Sequence, residues 1–418
     1  MAHLHFTLNQ EEIQELLLEN RSEAFKKLLE SALNSVLQAE SEEQLSAGRY
    51  QRSDERTDYR NGCRDRELNT RIGRITLHVP RHRNVPFRTL VFENYSRSEA
   101  ALIAGMAEMV VNGVSTRKVS KVMETLCGTS FSKSAVSDVC KDLSKEVSEF
   151  QRRPIEGDYP FVTVDATYFK VREDHRVTSK ALMIALGTNC NGHREVLGFG
   201  IYPSESAETW TDFLLSLKRR GLSGALMITS DAHDGILRAI DKVYPTTPWQ
   251  RCQFHFSKNI ADKAPKKYQT GLRTELQEMF GSKTIEAARK IRDRIIDDYR
   301  DVAESAVACL DEGFESAMTV MTLPEHLRRF YRTSNNIERI NKELKRRSKV
   351  IGVFPNAESL LRLMGSVLIE LHGSMASGKA VFSKETLATI MTSDIPENLI
   401  SIAKEQHQLR AVLCEGVQ

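Results

Sequence analysis

Residues 161–256 carry the pattern that most constrains the fold: three strand-like runs, then helix, strand, helix and strand. Phe161–Arg172 is rich in β-branched and aromatic residues, Ala181–Leu186 is a second apolar run, and Val196–Tyr202 a third, after a turn at Asn189–Gly192. An amphipathic helix over Glu208–Arg220 follows, with Trp210 on its core side, then a strand over Ala225–Ser230. A helix over Gly235–Tyr244 and a fifth strand over Trp249–Phe256 complete the series. The order βββαβαβ predicts a mixed α/β domain whose first and fourth strands are neighbours, and it still lacks a closing helix. Residues 257–330 are instead helical in pattern, notably Thr284–Leu310, and only Asn335–Lys345 supplies that helix. A structureless loop of this length would be improbable in a compact domain, so 257–330 is expected to be an all-helical insertion.

That order is the one of the RNase H-like fold, and three acids fall where such a fold would gather them. Asp165 interrupts the apolar run Phe161–Lys170, where a charge costs several kcal/mol unless compensated. Asp231 follows the strand ending at Ser230, and carboxyl ends of strands are where open α/β sheets present reactive groups. Glu338 opens the closing helix; Glu338, Asn341, Lys342 and Lys345 share one polar stripe, and Ile337, Ile340 and Leu344 the apolar one. Other readings stay open: Asp165 paired with a buried Arg, Asp231 as a helix N-cap, Glu338 as a capping-box acid, and Asp234 or Asp212 as rival ligands. As a set, the three acids suit two Mg²⁺ ions, hard cations that activate one oxygen of a phosphodiester and stabilise the leaving one. Lys342, Lys345, Arg346 and Arg347 would neutralise nearby phosphates.

Upstream, 10–47 reads as a helix, with Ile13, Leu16, Leu17, Phe25, Leu28, Leu29, Leu33 and Val36 on its apolar stripe. Ser53–Arg66 reads as polar and turn-rich, and Arg71–Pro80 as a short strand. Residues 114–147 read as two amphipathic helices around Gly128. Val119, Val122, Met123 and Leu126 face inward on the first; Val136, Val139, Cys140, Leu143 and Val147 do so on the second. They suit a helix-turn-helix, or a plain helix pair. Residues 60–90 hold Arg60, Arg64, Arg66, Arg71, Arg74, Arg81, Arg83 and Arg88 against Asp65 and Glu67 alone. Such a segment is either a solvated face or a phosphate-binding one; Arg60, Arg64, Arg71, Arg81, Arg83 and Lys133 are the candidates for DNA contact.

The net charge of +3 decides nothing, and 40% hydrophobic with 28% charged residues is ordinary for soluble protein. Seven scattered cysteines argue for a reducing compartment and against a disulfide framework. With no signal peptide visible and no run long enough to span a bilayer, a cytoplasmic, nucleoid-associated protein is expected. Gly281–Thr284 lacks the upstream glycine of a phosphate-binding loop, so no nucleotide is expected. Cys252 and His255 are two potential zinc ligands without a partner pair, which favours a packing or hydrogen-bonding role.

The chain resembles bacterial insertion-sequence transposases of the Mutator type. The resemblance rests on Tyr59–Gly62, Thr70–Gly73, Val79–Asn84, Asn112–Val119, Phe131–Val136, Val164–Ala166, Trp210–Leu214, Thr229–Ala232, Cys252–His255 and Thr333–Glu338. It implies a DDE catalytic domain of RNase H-like fold with a helical insertion, Asp165, Asp231 and Glu338 as catalytic acids and metal ligands, and a Cys-x-x-His element at Cys252 and His255. Two Mg²⁺ or Mn²⁺ ions and a homodimer acting on double-stranded DNA are implied too. The enzyme would bind terminal inverted repeats, cut the element ends and join the 3′-OH to target DNA. The implied organisation is a helical and basic region over 1–99, a helix-turn-helix over 100–150, the catalytic domain over 151–256 and 331–390 around the 257–330 insertion, and a helical tail over 391–418.

Overall fold

The computed structural model describes residues 21–49, 51, 55–70, 73–89, 100–127, 133–349 and 351–415, in two compact units divided after Asp142. In the first unit, helix α1 (Arg21–Leu45) lies on a hairpin of β1 (Arg60–Thr70) and β2 (Gly73–His82). Its antiparallel register sets Leu68 opposite Ile75, and these two close a small core with Leu37 and Leu77. The strand within 71–80 was expected. Its partner was not, because β1 buries only Leu68 and Thr70 and so has almost no apolar alternation to read. Asp58 clamps the base of the hairpin, accepting the backbone N–H groups of Tyr59, Asn84 and Val85 at 2.7–2.8 Å.

Helices α2 (Ala100–Val111), α3 (Thr116–Cys127) and α4 (Lys133–Arg152) follow, the last running on into the second unit. Val119, Met123, Val136, Val139, Cys140 and Val147 are buried as the periodicity predicts. Val122 is a correction: it is 39% exposed, at the margin of the apolar stripe. The expected turn at Gly128, with Ile13, Leu16, Leu17 and Arg71, lies outside the described residues.

The second unit is built on one sheet of β3 (Phe161–Glu173), β4 (Arg176–Thr188), β5 (Arg194–Tyr202), β6 (Met227–Ser230) and β7 (Trp249–Arg251), in the order β5-β4-β3-β6-β7. β3, β4 and β5 pair antiparallel; β6 runs parallel to β3, and β7 to β6. β4 begins earlier than its apolar run suggests, because Asp174 and His175 at φ 47° and 62° close a tight hairpin with β3. On one face, α5 (Ala207–Arg219) and α6 (Asp234–Val243) bury Trp210, Phe213, Leu217, Ile236 and Ile240 against Val162, Val164 and Met183. Trp210 is fully buried, as expected of a core residue.

β7 stops at Arg251 and a helix starts at once, which corrects the reading of a strand through Phe256. Phe254 is exposed and Phe256 fully buried, an alternation that mimics a strand. Phe256 instead belongs to the core of α7 (Gln253–Lys263), α8 (Lys266–Phe280), α9 (Ile285–Tyr299) and α10 (Glu304–Met318), with Leu272, Leu276, Ile295, Leu310 and Phe314. Gly281 C-caps α8, and Thr284 N-caps α9 by accepting the Ala287 N–H, so this stretch is an interhelix turn. A 3₁₀ turn (Thr319–Thr322) and α11 (Glu325–Tyr331) lead back to the sheet and to α12 (Asn335–Ser348).

Helix α13 (Ala357–Ala376) lies along β5, where Gly365 permits close approach: a Cβ there would stand 2.6 Å from Val147 and 3.0 Å from Phe199. After α14 (Lys384–Met391), α15 (Ile395–Glu415) docks on the open edge of β7. The Gln406 amide accepts the Trp249 N–H at 2.8 Å and donates to its carbonyl at 2.9 Å, as a further strand would.

Two glycines give a paired stability test. A Cβ on Gly313 of α10 would meet the buried Phe256 ring at 2.5 Å, whereas one on Gly373 of α13 would meet nothing within 4 Å. Alanine gains about 1 kcal/mol over glycine in a helix, and overpacking costs about 1–3 kcal/mol. In urea unfolding, Gly313→Ala is therefore expected to lose up to about 2 kcal/mol and Gly373→Ala to gain about 0.5–1 kcal/mol.

Candidate active site

The parallel register of β3 with β6 runs Phe161 to Met227, Val162 to Ile228 and Thr163 to Thr229. Carried two residues further, it sets Asp165 level with Asp231, which stands one residue beyond the end of β6. Adjacent strands are about 4.8 Å apart, and residues two apart share a face. Both acids therefore leave the sheet beside one another, on the face opposite the Val162 and Val164 side chains that pack against α5 and α6. Asp165 is buried, with 9% of its surface exposed. Burial, then the charge of Asp231, pushes its carboxyl up to about 7, against the Ala166 N–H and His255, which pull it down.

Helix α12 supplies the rest of this face. Its apolar stripe of Ile337, Ile340 and Leu344 is buried, which turns Asn341 towards Asp165. Asn341 donates from Nδ2 to Asp165 Oδ2 at 2.7 Å. Glu338, one turn earlier, reaches His255 of α7, with Oε1 3.7 Å from Nε2. Among the described residues, the His, Cys and carboxylate ligand atoms that converge within 4.8 Å of one another are those of Cys252, His255 and Glu338. The structure thus brings Asp165 and Asp231 side by side, and Glu338 approaches from the Cys252–His255 side.

Each rival reading of the acids meets a specific observation. Asp165 is bonded by an amide and not by a buried arginine. The N-cap of α6 is His233, whose Nδ1 accepts the Gly235 N–H at 3.2 Å, so Asp231 does not cap that helix. Ser334 precedes α12 without a side-chain cap bond, because its hydroxyl and N–H both donate to Cys252 Sγ, at 3.2 and 3.3 Å. Asp212 and Asp234 are exposed.

Electrostatically the site is a cluster of carboxylates with the His255 imidazole among them. His255 is held protonated up to about 9, first by the Cys252 sulfur and then, against burial, by the charges of Cys252, Asp165 and Glu338. Burial opposes ionisation of Cys252, but the His255 and Ser334 donors outweigh it and bring the thiol below its ordinary range. Asp231 Oδ1 and Glu338 Oε1 are buried and accept no hydrogen bond among the described residues. Shielded carboxylate oxygens without donors are what a hard divalent cation takes as ligands, so the residues present fit Mg²⁺ or Mn²⁺.

Sequence reasoning left Glu205 and His255 out of this centre. Glu205 lies half-buried ahead of α5, its carboxyl pushed up by burial and then by Asp231. No periodicity marks a single loop acid. His255 carried a signal in the Cys-x-x-His spacing, but its approach to Glu338 spans the whole insertion.

The basic candidates divide by environment. Lys342 and Lys345 are exposed on α12. Arg346 is exposed and ion-paired to Glu343, while Arg347 is buried against Glu343 and Glu370 at 2.8 and 3.2 Å. In the first unit Arg64, Arg81 and Arg83 are exposed, whereas Arg60 binds the carbonyls of Ala47 and Gly48. Lys133 begins α4.

The sequence pattern described as "Transposase, Mutator family" matches residues 1–378. The transposase for insertion sequence element IS256 in transposon Tn4001 of Staphylococcus aureus is 43% identical over 376 residues, covering 89% of this chain and 96% of that protein. The transposase of ISRM5 from Rhizobium meliloti is 37% identical over 360 residues, covering 86% and 90%. That of IS1081 from Mycobacterium tuberculosis is 33% identical over 389 residues, covering 93% and 94%. With a match of this extent and relatives this similar along nearly their whole lengths, the chain belongs to the Mutator family of transposases.

Proposed function

We propose that this chain is a DDE transposase, which cuts the ends of its element by divalent-metal-dependent hydrolysis and joins the freed 3′-OH to target DNA. The observation that carries this is the shared level of Asp165 and Asp231 on neighbouring strands, with α12 bonded across to Asp165 through Asn341. The strand order, with a helical excursion between β7 and α12, supports an RNase H-like catalytic domain. Helices α3 and α4 are the candidate helix-turn-helix for terminal repeats, and the exposed arginines of the β1–β2 hairpin a second basic surface.

In this reading Asp165, Asp231 and Glu338 are the metal ligands. Two bound Mg²⁺ or Mn²⁺ ions would supply Lewis acidity at the scissile phosphate and lower the pKa of the attacking water or 3′-OH. The chain's own groups do the positioning. Asn341 fixes the rotamer of Asp165, Glu205 adds negative charge beside Asp231, and Lys342 and Lys345 present ammonium groups to phosphates on the same helix as Glu338. Covered by α12, the Asp165 carboxylate is shielded from water, which strengthens its interaction with cations.

Asp165→Asn, Asp231→Asn and Glu338→Gln are each expected to lower end cleavage and strand transfer by roughly a thousand-fold or more, with terminal-repeat binding retained. Retained transfer in any of them would remove that residue from the assignment, and hydrolysis by the wild type without joined products would make the protein a nuclease. Asn341→Ala removes orientation and not a ligand, so a loss of about 10–100-fold is expected in single-turnover cleavage.

Metal addition gives a readout without DNA. Ligands binding only the folded state stabilise it by about 2.7 kcal/mol at a hundred times Kd. Mn²⁺ titrated into the full chain is expected to raise Tm in the wild type and much less in Asp165→Asn and Asp231→Asn. An equal rise in all three would place the bound ion elsewhere.

A further inference from the structure

We propose that Cys252, His255 and Glu338 form a second metal site, selective for a borderline-soft divalent ion of the Zn²⁺ class and sharing Glu338 with the carboxylate centre. The site itself stands on geometry alone; its effect on catalysis rests on the function proposed above.

Three observations carry it. First, the thiol sulfur, an imidazole nitrogen and a carboxylate oxygen lie within 4.8 Å of one another, and the His255–Glu338 pair is at 3.7 Å. Ligands of tetrahedral Zn²⁺ stand at about 2.0–2.3 Å from the metal, hence about 3.4 Å from each other, so closure needs shifts of about 1 Å or less. Second, Glu338 Oε1 is buried and has no hydrogen-bond partner among the described residues, so metal ligation would satisfy an oxygen that otherwise accepts no hydrogen bond. Third, the sulfur has an outer shell. Ser334, 1% exposed, donates both its N–H and its hydroxyl to Cys252 Sγ, the arrangement that orients a thiolate towards a metal.

The ligand set decides the ion. One thiolate, one imidazole and one carboxylate suit Zn²⁺ or Co²⁺, whereas Mg²⁺ takes oxygen ligands and avoids sulfur. Three protein ligands leave a fourth position, and the side chains of His255 and Glu338 remain 30% and 20% exposed, so water can enter it. Sharing Glu338 gives the site a consequence. An ion held by Cys252 and His255 draws the glutamate away from Asp165 and Asp231, so Zn²⁺ would inhibit Mg²⁺-dependent cleavage.

Co²⁺ titrated into the full-length chain in excess Mg²⁺ tests this without DNA. A near-ultraviolet thiolate-to-Co²⁺ charge-transfer band is expected to saturate at one ion per chain and to be displaced by Zn²⁺. Cys252→Ser should abolish the band, and Cys63→Ser and Cys190→Ser should keep it. Cys252 is fully buried, so His255→Gln and Glu338→Gln decide the matter if its variant does not fold. Each should weaken Co²⁺ by roughly 10–100-fold or more. No band in the wild type, or wild-type affinity in both of those variants, overturns the site. That result leaves the cleavage test of the three acids untouched, and failure of the cleavage test leaves the band untouched.

Discussion

Two carboxylates forced level on neighbouring strands are the constraint around which the second unit is arranged. The parallel pairing of β3 with β6, from Phe161–Met227 to Thr163–Thr229, sets the register that brings Asp165 and Asp231 level, so their repulsion cannot relax by sliding one strand along the other without breaking that pairing. Two neighbouring groups supply counterweights, while Glu205 adds to the negative charge. Asn341 donates to Asp165, and His255 sets a positive charge between Asp165 and Glu338. Asp231 Oδ1 still accepts no hydrogen bond among the described residues. Burying charge at this cost is unfavourable unless something compensates it, and the metal ligation proposed above would do so.

The helical excursion is integral to that centre. The chain leaves the sheet at Cys252 and returns at Ser334, and these two residues are hydrogen-bonded to each other through the sulfur. Nearby, the Gln253 N–H donates to the Arg332 carbonyl, and Thr229 on β6 bonds the carbonyl of Tyr331. Departure and return are thus stitched at one point on the sheet edge. The helices between them enclose a core of their own around Phe256, Leu310 and Phe314, and they dock on β7 through Gln250, which donates to the Ala317 carbonyl at 2.8 Å, and Arg251, which lies over the Phe256 ring. Loop closure over such a span costs only slowly more with length, which is why a folded insertion is tolerated here.

Much of this was legible in the sequence because it rests on local periodicity. The strands of the sheet, the amphipathic helices around Trp210 and Ile240, and the closing helix bearing Glu338 all announce themselves by burial pattern. Where burial is one-sided or absent, the pattern fails. β1 is a solvent-facing arginine strand, and the short β7 merges with the first turn of α7 because Phe254 and Phe256 imitate alternation. The level placement of Asp165 and Asp231 follows from register, which a sequence specifies only once the strands are known to pair. A packing or hydrogen-bonding role was expected of Cys252 and His255; the approach of His255 to Glu338 was not legible, because the two are remote in sequence and spacing rules read only local pairs.

Helix α12 shows why glutamate and amide sit where they do. Its buried stripe recurs at Ile337, Ile340 and Leu344, and 3.6-residue geometry then fixes Glu338 and Asn341 on the flank next to the sheet. Arg347 is locked by Glu343 and Glu370, which sets the rotation of the last turn, while Lys342 and Lys345 remain outward. One helix therefore presents a carboxylate, the amide that orients a second carboxylate, and two exposed cations in successive turns. Rotating it by one residue, about 100°, would exchange apolar and polar flanks and bury the lysines, so packing alone specifies which face meets Asp165.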